Sequence, residues 1–361
     1  MSNNLWLRNC WYVIAWDHEI PDANSPELFS RMVLGEPVLV YRLAKAGKNG
    51  NFVAMEDRCC HRLAPLSKGR KEGDCVRCGY HGLKFDAQGI CVEAPGIPLI
   101  PAKARVKTYP VVLHNNWVFV WMGDPAKADQ ALLPDNFSCA HPDWQHKPGY
   151  LHYDTPYLLI CDNLLDFSHL SYVHEKTLGG STMIAQAIPI IEKVAGPTTD
   201  WSQIGIKVSR HVPDVPPPPF YQKFRSFDTH LDRWFVYDFL LPGTLLMHSG
   251  GRPLNDAKED LSRAVQLHSC QTLTPETETT THYFFQQSHR AGLGDDTVTT
   301  SIYNSLVAAF EEDRDMITAQ HHNIQRNPAA PMLPLAMDAA LVQFRRLLST
   351  RIEMERNPQT V

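Results

Sequence analysis

Cys59-Cys60-His61 is followed, after sixteen residues, by Cys78-Gly79-Tyr80-His81. The two segments read C-x-H and C-x-x-H, so each offers one thiolate and one imidazole. A [2Fe–2S] cluster with two cysteines on one iron and two histidines on the other needs that set. Replacing two thiolates by neutral imidazoles lowers the negative charge of the cluster and raises its potential. That suits a relay accepting electrons from a flavin or ferredoxin donor. The same region also permits a tetrahedral zinc site, built from Cys75-x2-Cys78 with Cys60 and either His61 or His81.

Outward from this pair, the first 125 residues have the pattern of β structure. Glu36–Leu43 and Asn51–Glu56 are short strand-like runs. Leu83–Cys91 predicts a hairpin turning at Asp86-Ala87-Gln88-Gly89, and Pro110–Met122 another near Asn115-Asn116. Between Gly123 and Gly149 lie six prolines or glycines and no clear period, which places a domain boundary there. The expected domains are 1–140 and 141–361. In the second, Asp162–His174 has helical character, Trp234–Ser249 and Ser262–Gln287 are strand-like, and Thr297–Ile324 and Leu335–Glu355 form helices. Strands and then helices in blocks predict an α+β fold with an antiparallel sheet. Pro213–Phe220 reads either as a stiff surface loop or as a wall or lid of a substrate pocket.

Composition narrows the classes. A chain of 361 residues, 43% hydrophobic and 20% charged, supports two domains with large cores. A net charge of -5 gives no electrostatic footprint for nucleic acid. No apolar run approaches the roughly 18 residues of a membrane span. The start, Met1-Ser-Asn-Asn-Leu-Trp-Leu-Arg, lacks the layout of a signal peptide, so a cytoplasmic location is expected. Nine cysteines, an odd number, argue against a disulfide scaffold, and four of them fall between Cys59 and Cys78.

A second constellation is Asn163-Leu-Leu-Asp166-Phe-Ser-His169-Leu-Ser-Tyr-Val-His174. On an ideal helix its four polar groups fall within an arc of about 140°. That is wide for two ligands of one ion, so the helix is expected to be irregular or to end before His174. Two histidines and a carboxylate form the facial triad of mononuclear Fe(II) oxygenases, with positions left open for O2 and water. The late helix offers Glu311, Glu312, Asp313 and Asp315. Ile302, Leu306, Phe310, Ile317 and Ile324 mark its inward face, and Asp313 lies in that stripe. A carboxylate on a buried face is costly unless paired or metal-bound, which singles out Asp313.

Residues 57–86 resemble the Rieske domain of bacterial ring-hydroxylating and O-demethylating oxygenases. Asn163-x2-Asp166-x2-His169-x4-His174 resembles their catalytic iron motif. Phe310-Glu-Glu-Asp313 and Thr274–Phe284 resemble segments of the vanillate O-demethylase and dicamba monooxygenase branch. The resemblance implies an N-terminal all-β Rieske domain and a C-terminal catalytic domain of helix-grip type. It implies Cys59 and Cys78 on one iron and His61 and His81 on the other, with Cys60 and Cys75 as non-ligands. His169, His174 and Asp313 would hold a mononuclear Fe(II). Asp166 would match an acid that hydrogen-bonds His169 and the His81 of a neighbouring subunit in a head-to-tail homotrimer.

The implied activity is O2-dependent oxidation of a small aromatic compound, with electrons from a flavin or iron–sulfur reductase or a ferredoxin. The branch points to O-demethylation of a methoxy-aromatic. The motifs alone equally permit ring hydroxylation, dioxygenation or N-demethylation, and a Rieske electron-transfer protein or a zinc-stabilised carrier are readings from other classes. Candidate substrate contacts are His248, His268, His282 and Phe284 on the sheet, and Arg252, which could neutralise a substrate carboxylate. Strand register decides which of them face a pocket.

Overall fold

The structure is a computed structural model that describes residues 5–47, 50–179 and 181–357. The first four residues, part of the stretch read for a leader, lie outside these. The chain divides into two compact units, one of residues 1–133 with 274–278, the other of 134–273 with 279–361.

The first unit is built from three small antiparallel sheets. Trp11–Trp16, Trp117–Trp121 and Val111–His114 form one, its first two strands buried along their whole length. Cross-strand tryptophans knit it together: Trp11 meets Trp121 at 5.3 Å and Trp16 meets Trp117 at 5.5 Å between ring centroids. Such aromatic pairs each add a contribution beyond area burial. The turn at Asn115-Asn116 has φ of 45° and 68°, a left-handed pair that asparagine tolerates and that matches the twist of a hairpin. The second sheet runs Phe29–Val33, Glu36–Gly47, Gly50–Glu56 and Thr108–Tyr109. The third runs Arg70–Glu72, Cys75–Arg77, Lys84–Phe85 and Cys91–Glu93, and carries the hairpin expected at Asp86–Gly89.

The second unit centres on an eight-stranded sheet. Its middle strands are β1 (Leu231–Leu240), β2 (Thr244–Pro253), β3 (Val265–Pro275) and β4 (Thr281–Arg290). Three helices matter for the site: α1 (Tyr157–Leu165), α2 (Asp296–Arg326) and α3 (Ala339–Arg356). Helix α2 lies on the sheet through Phe310, whose ring meets Tyr283 at 5.1 Å and Phe285 at 4.9 Å. Helix α3 packs through Phe344 against Phe239 at 4.7 Å. The inward stripe of α2 follows the periodicity over most of its length: Ile302, Leu306, Phe310, Asp313 and Ile317 are buried and Ile324, near the end, is half-buried, while Glu311 and Asp315 are exposed. This is an α+β chain with an antiparallel sheet gripping a long helix. No helix among the described residues is long and apolar enough to cross a membrane.

Candidate metal centres and active-site cavity

Two loops of the first unit have the same build. In the first, the Cys59 amide donates to the Ala64 carbonyl and the Leu63 amide to the Cys59 carbonyl. In the second, Cys78 donates to Leu83 and Gly82 to Cys78. Each needs a left-handed residue four positions after its cysteine, and these are Leu63 (φ 57°) and Gly82 (φ 74°). The loops are held close by glycines at their approach. A Cβ on Gly69 would stand 2.0 Å from the Arg77 carbonyl oxygen, and one on Gly79 2.7 Å from that of Lys68.

The donors separate by environment. Cys59 and Cys78 are buried with Leu39, Tyr41, Leu66, Val76 and Phe85, whereas His61 and His81 are exposed, their rings 4.6 Å apart. Burial, reinforced by the neighbouring Cys78 sulfur, pushes the Cys59 thiol up to about 12. A thiolate there requires a metal to stabilise it. Desolvation, then the nearby His61 and Arg62, holds His81 below its ordinary value, which favours the neutral imidazole that ligates metal. The donor set therefore fits a cluster with its cysteine iron buried and its histidine iron at the surface. Cys60 is exposed and Cys75 half-buried.

The second centre depends on a broken helix. Helix α1 stops at Asp166, whose backbone is extended (φ -123°, ψ 93°), and a short 3-10 turn covers Phe167–Ser171. The Asp166 carboxylate starts that turn, accepting from the Ser168 amide (2.9 Å) and hydroxyl (2.8 Å). The break brings His169 and His174 to 5.2 Å between ring centroids. From α2, Asp313 completes the group, with Oδ1 3.6 Å from His169 Nε2 and Oδ2 3.2 Å from His174 Nε2. One ligand atom from each residue lies within 4.8 Å of the others. Asn163 on α1 donates from Nδ2 to Asp313 Oδ1 at 3.0 Å, which fixes the carboxylate.

The partners of the two imidazoles correct one expectation and add a residue. His169 Nδ1 meets the backbone carbonyl of Asp166 at 2.5 Å, not its carboxylate, because that carboxylate is turned toward Ser168. His174 Nδ1 meets Glu312 Oε2 at 2.8 Å, and the Thr177 hydroxyl donates to the same oxygen. Glu312 is one of the four acids the late helix offers, and it stands about 100° from Asp313 around that helix. The long side chain reaches back to the far side of the ring.

Burial pulls both histidines down. It prevails for His169, while the bonds and charges of Asp313 and Glu312 outweigh it and hold His174 above its ordinary value. Surroundings that favour positive charge on the His174 ring would also favour a divalent cation beside it, and three protein donors would leave positions open for O2. Glu312→Gln is expected to weaken Fe(II) binding about 10- to 100-fold, as for other carboxylates behind metal-bound histidines. Asp315→Asn, on the exposed face of α2, is the control. Equal affinities for the two variants in a competitive Fe(II) titration would rule out this role for Glu312.

His169, His174 and Asp313 open onto a cavity lined mainly by apolar side chains, among them Phe167, Phe235, Leu267 and Phe310. The sheet contributes Arg233 and Phe235 from β1, Met247 and Ser249 from β2, Leu267 and Gln271 from β3, and Gln287 from β4. The register explains the set: Phe235 pairs with Ser249, and Ser249 with Leu267, so these share one face. None of the five residues named in advance as substrate contacts lines this cavity. His248 and His268 are cross-strand partners on the other face, stacked at 4.8 Å, with His268 against Trp144. Burial, then His248 and Arg290, holds His268 at about 4. His282 bonds Tyr150, and Phe284 packs on the same ring. Arg252 is paired with Asp232 at 2.7 Å. The Pro213–Phe220 segment ends in the cavity wall, since Phe220 and Tyr221 line it.

Comparison with known proteins gives consistent results for both units. Residues 10–110 match the Rieske [2Fe-2S] domain, and residues 153–354 the vanillate O-demethylase oxygenase C-terminal domain. The chain is 45% identical over 354 residues to the iron-sulfur subunit of a toluene-4-sulfonate monooxygenase system from Comamonas testosteroni, covering 97% of this chain and 98% of that one. It is 31% identical to the oxygenase component of dicamba O-demethylase from Stenotrophomonas maltophilia, covering 97% and 99%. The crystal structure of dicamba monooxygenase bound to dicamba superposes with a TM-score of 0.82 at 29% identity, covering 97% of this chain and 99% of that one.

Proposed function

The chain belongs to the Rieske oxygenases with a vanillate O-demethylase-type C-terminal domain, and from that premise we propose that it oxidises a methyl group carried by a small aromatic compound. It is an O2-dependent oxidoreductase, the oxygenase component of a system in which a reductase or ferredoxin supplies electrons. Its cofactors are a Rieske [2Fe–2S] cluster and a mononuclear non-heme iron, and when bound they deliver electrons and activate O2 respectively. We assign Cys59, Cys78, His61 and His81 to the first and His169, His174 and Asp313 to the second.

The observation that carries the substrate reading is the aromatic-walled cavity that includes all three proposed iron ligands. Phe167, Phe235 and Phe310 offer faces and edges to an aromatic ring and keep water from the reacting carbon. Asn163 and Glu312 hold the ligand carboxylate and imidazole in orientation. Asp166, its side chain 18% exposed, would take part in transfer between subunits of a head-to-tail homotrimer. A cytoplasmic location completes the proposal.

For a methoxy substrate the outcome is O-demethylation, with formaldehyde and a phenol as products. A second reading is favoured by the 45% identical relative, whose named substrate carries its methyl directly on the ring. There the product would be a benzylic alcohol. Iron-replete protein, supplied with an electron donor, should be screened against aryl methyl ethers and methylarenes. Stoichiometric formaldehyde supports demethylation and a hydroxymethyl arene the alternative, whereas a cis-diol would overturn methyl oxidation altogether.

A further inference from the structure

Two arginines are buried in the second unit, each 3% exposed. Arg210 donates to the Ile184 carbonyl at 2.6 Å and has an anion nearby, the Asp166 carboxylate at 3.9 Å. Arg233 has none. Among the described residues no carboxylate lies within 4 Å of its guanidinium; it is met by one backbone carbonyl, by the neutral Tyr221 side chain, which hydrogen-bonds it, and by the Phe235 ring. Nη1 donates to Gly179 O at 2.9 Å, and the group sits over Tyr221 at 5.2 Å and Phe235 at 5.0 Å. Its Nε is buried without a hydrogen-bond partner. An arginine cannot shed its proton to escape this position. A buried guanidinium lacking a counter-charge is costly, and the site where it stands is the cavity that also contains His169, His174 and Asp313. Space for it is built in. Its cross-strand partner on β2 is Gly251, where a Cβ would approach the Tyr221 ring to 3.0 Å and Arg233 Cγ to 3.5 Å.

We propose that Arg233 is the specificity-determining residue of the cavity, and that it binds an oxyanion substituent, a carboxylate or a sulfonate, on the aromatic substrate. This rests on the methyl-oxidising reading above and narrows its substrate class. The anion supplies the charge that the protein withholds and takes up the remaining N–H donors. Ser249 and Gln287, neutral polar residues of the same wall, are placed to take further oxygens. The anchor anticipated at Arg252 is thus carried by a residue on the opposite face of the sheet, because Arg252 is neutralised by Asp232.

A purely bracing role is the competing account, since Arg233 holds the Gly179 carbonyl and the Gly179 amide in turn binds the His174 carbonyl. The two are separated by charge discrimination. Binding to the anaerobic holoenzyme should be measured calorimetrically with 4-methylbenzoate, 4-methylbenzenesulfonate and the neutral 4-methylbenzamide. At least one anion is expected to bind about tenfold or more tighter than the amide, and which one identifies the oxyanion. Arg233→Met should weaken that anion about 100-fold while changing the amide by no more than about threefold. Arg233→Lys should restore part of the preference.

An amide that binds as tightly as both anions overturns the proposal, as does equal weakening of all three probes in Arg233→Met with loss of iron, or the absence of binding by any probe at millimolar concentration. The wild-type comparison stands even if Arg233→Met does not fold. Turnover keeps the two readings apart. Oxidation of neutral methyl-bearing aromatics without anion preference sinks the role of Arg233 and leaves the activity standing. Anion preference in binding, with no methyl-bearing aromatic oxidised by iron-replete protein, does the reverse.

Discussion

Asp313→Ala is expected to yield a red-brown protein that has lost its mononuclear iron and its turnover. The native chain should hold about three irons, two in the cluster and one in the triad. The variant should hold about two, with acid-labile sulfide and the visible spectrum unchanged. The effect should exceed the roughly 10- to 100-fold typical of residues behind the ligands, because a donor itself is removed. Asp313 is 4% exposed, receives the amide of Asn163 and faces both imidazoles. Without it His169 and His174 face each other across a buried gap with no negative charge between them to hold a cation. Metal analysis, electron paramagnetic resonance of the reduced cluster and coupled O2 uptake check all three parts. A variant that keeps three irons and turns over would remove Asp313 from the site.

Cys78→Ser should have an effect of similar size in the other unit. The thiol is 2% exposed within an apolar cluster, beside Cys59. Losing one of four donors should release the cluster, bleach the protein and strand a hydroxyl among hydrocarbon. Because metal binding and folding are linked, the unit should lose about 2 kcal/mol or more, on the order of 5–10 °C in Tm. The loops cannot relax to compensate, since Gly69 and Gly79 already sit at the limit of backbone approach. Cys60→Ser, at an exposed position, should leave colour and Tm unchanged. A Cys78→Ser protein that stays red-brown, or a wild-type protein that is colourless and zinc-bound, would refute the cluster assignment.

Much of this was legible because the signals are local. The four proposed cluster donors lie in two short loops, each closed by hydrogen bonds within six residues, so a contiguous motif points to them. The stripe of α2 placed Asp313 inward, since an ideal helix of 31 residues keeps its period regardless of what it packs on. The wide arc between His169 and His174 required an interruption, and the chain breaks at Asp166.

The pocket was not legible, and the reason is geometric. A strand alternates with period two, so a one-residue change of register turns every side chain to the other face. His248, Arg252, His268, His282 and Phe284 all fall on the parity away from the cavity, and Arg233, Phe235, Ser249 and Gln287 on the parity toward it. On β4 and on β3 from Ser269 onward hydropathy could not choose between them, because both faces are buried there. The sequence by itself determined the metal chemistry, the fold class and the inward carboxylate of α2. Tertiary structure alone decided which group supports each imidazole, a backbone carbonyl for His169 and the Glu312 carboxylate for His174, and which arginine faces the cavity. Those choices depend on cross-strand register and on pairings between residues more than a hundred positions apart, which no local pattern records.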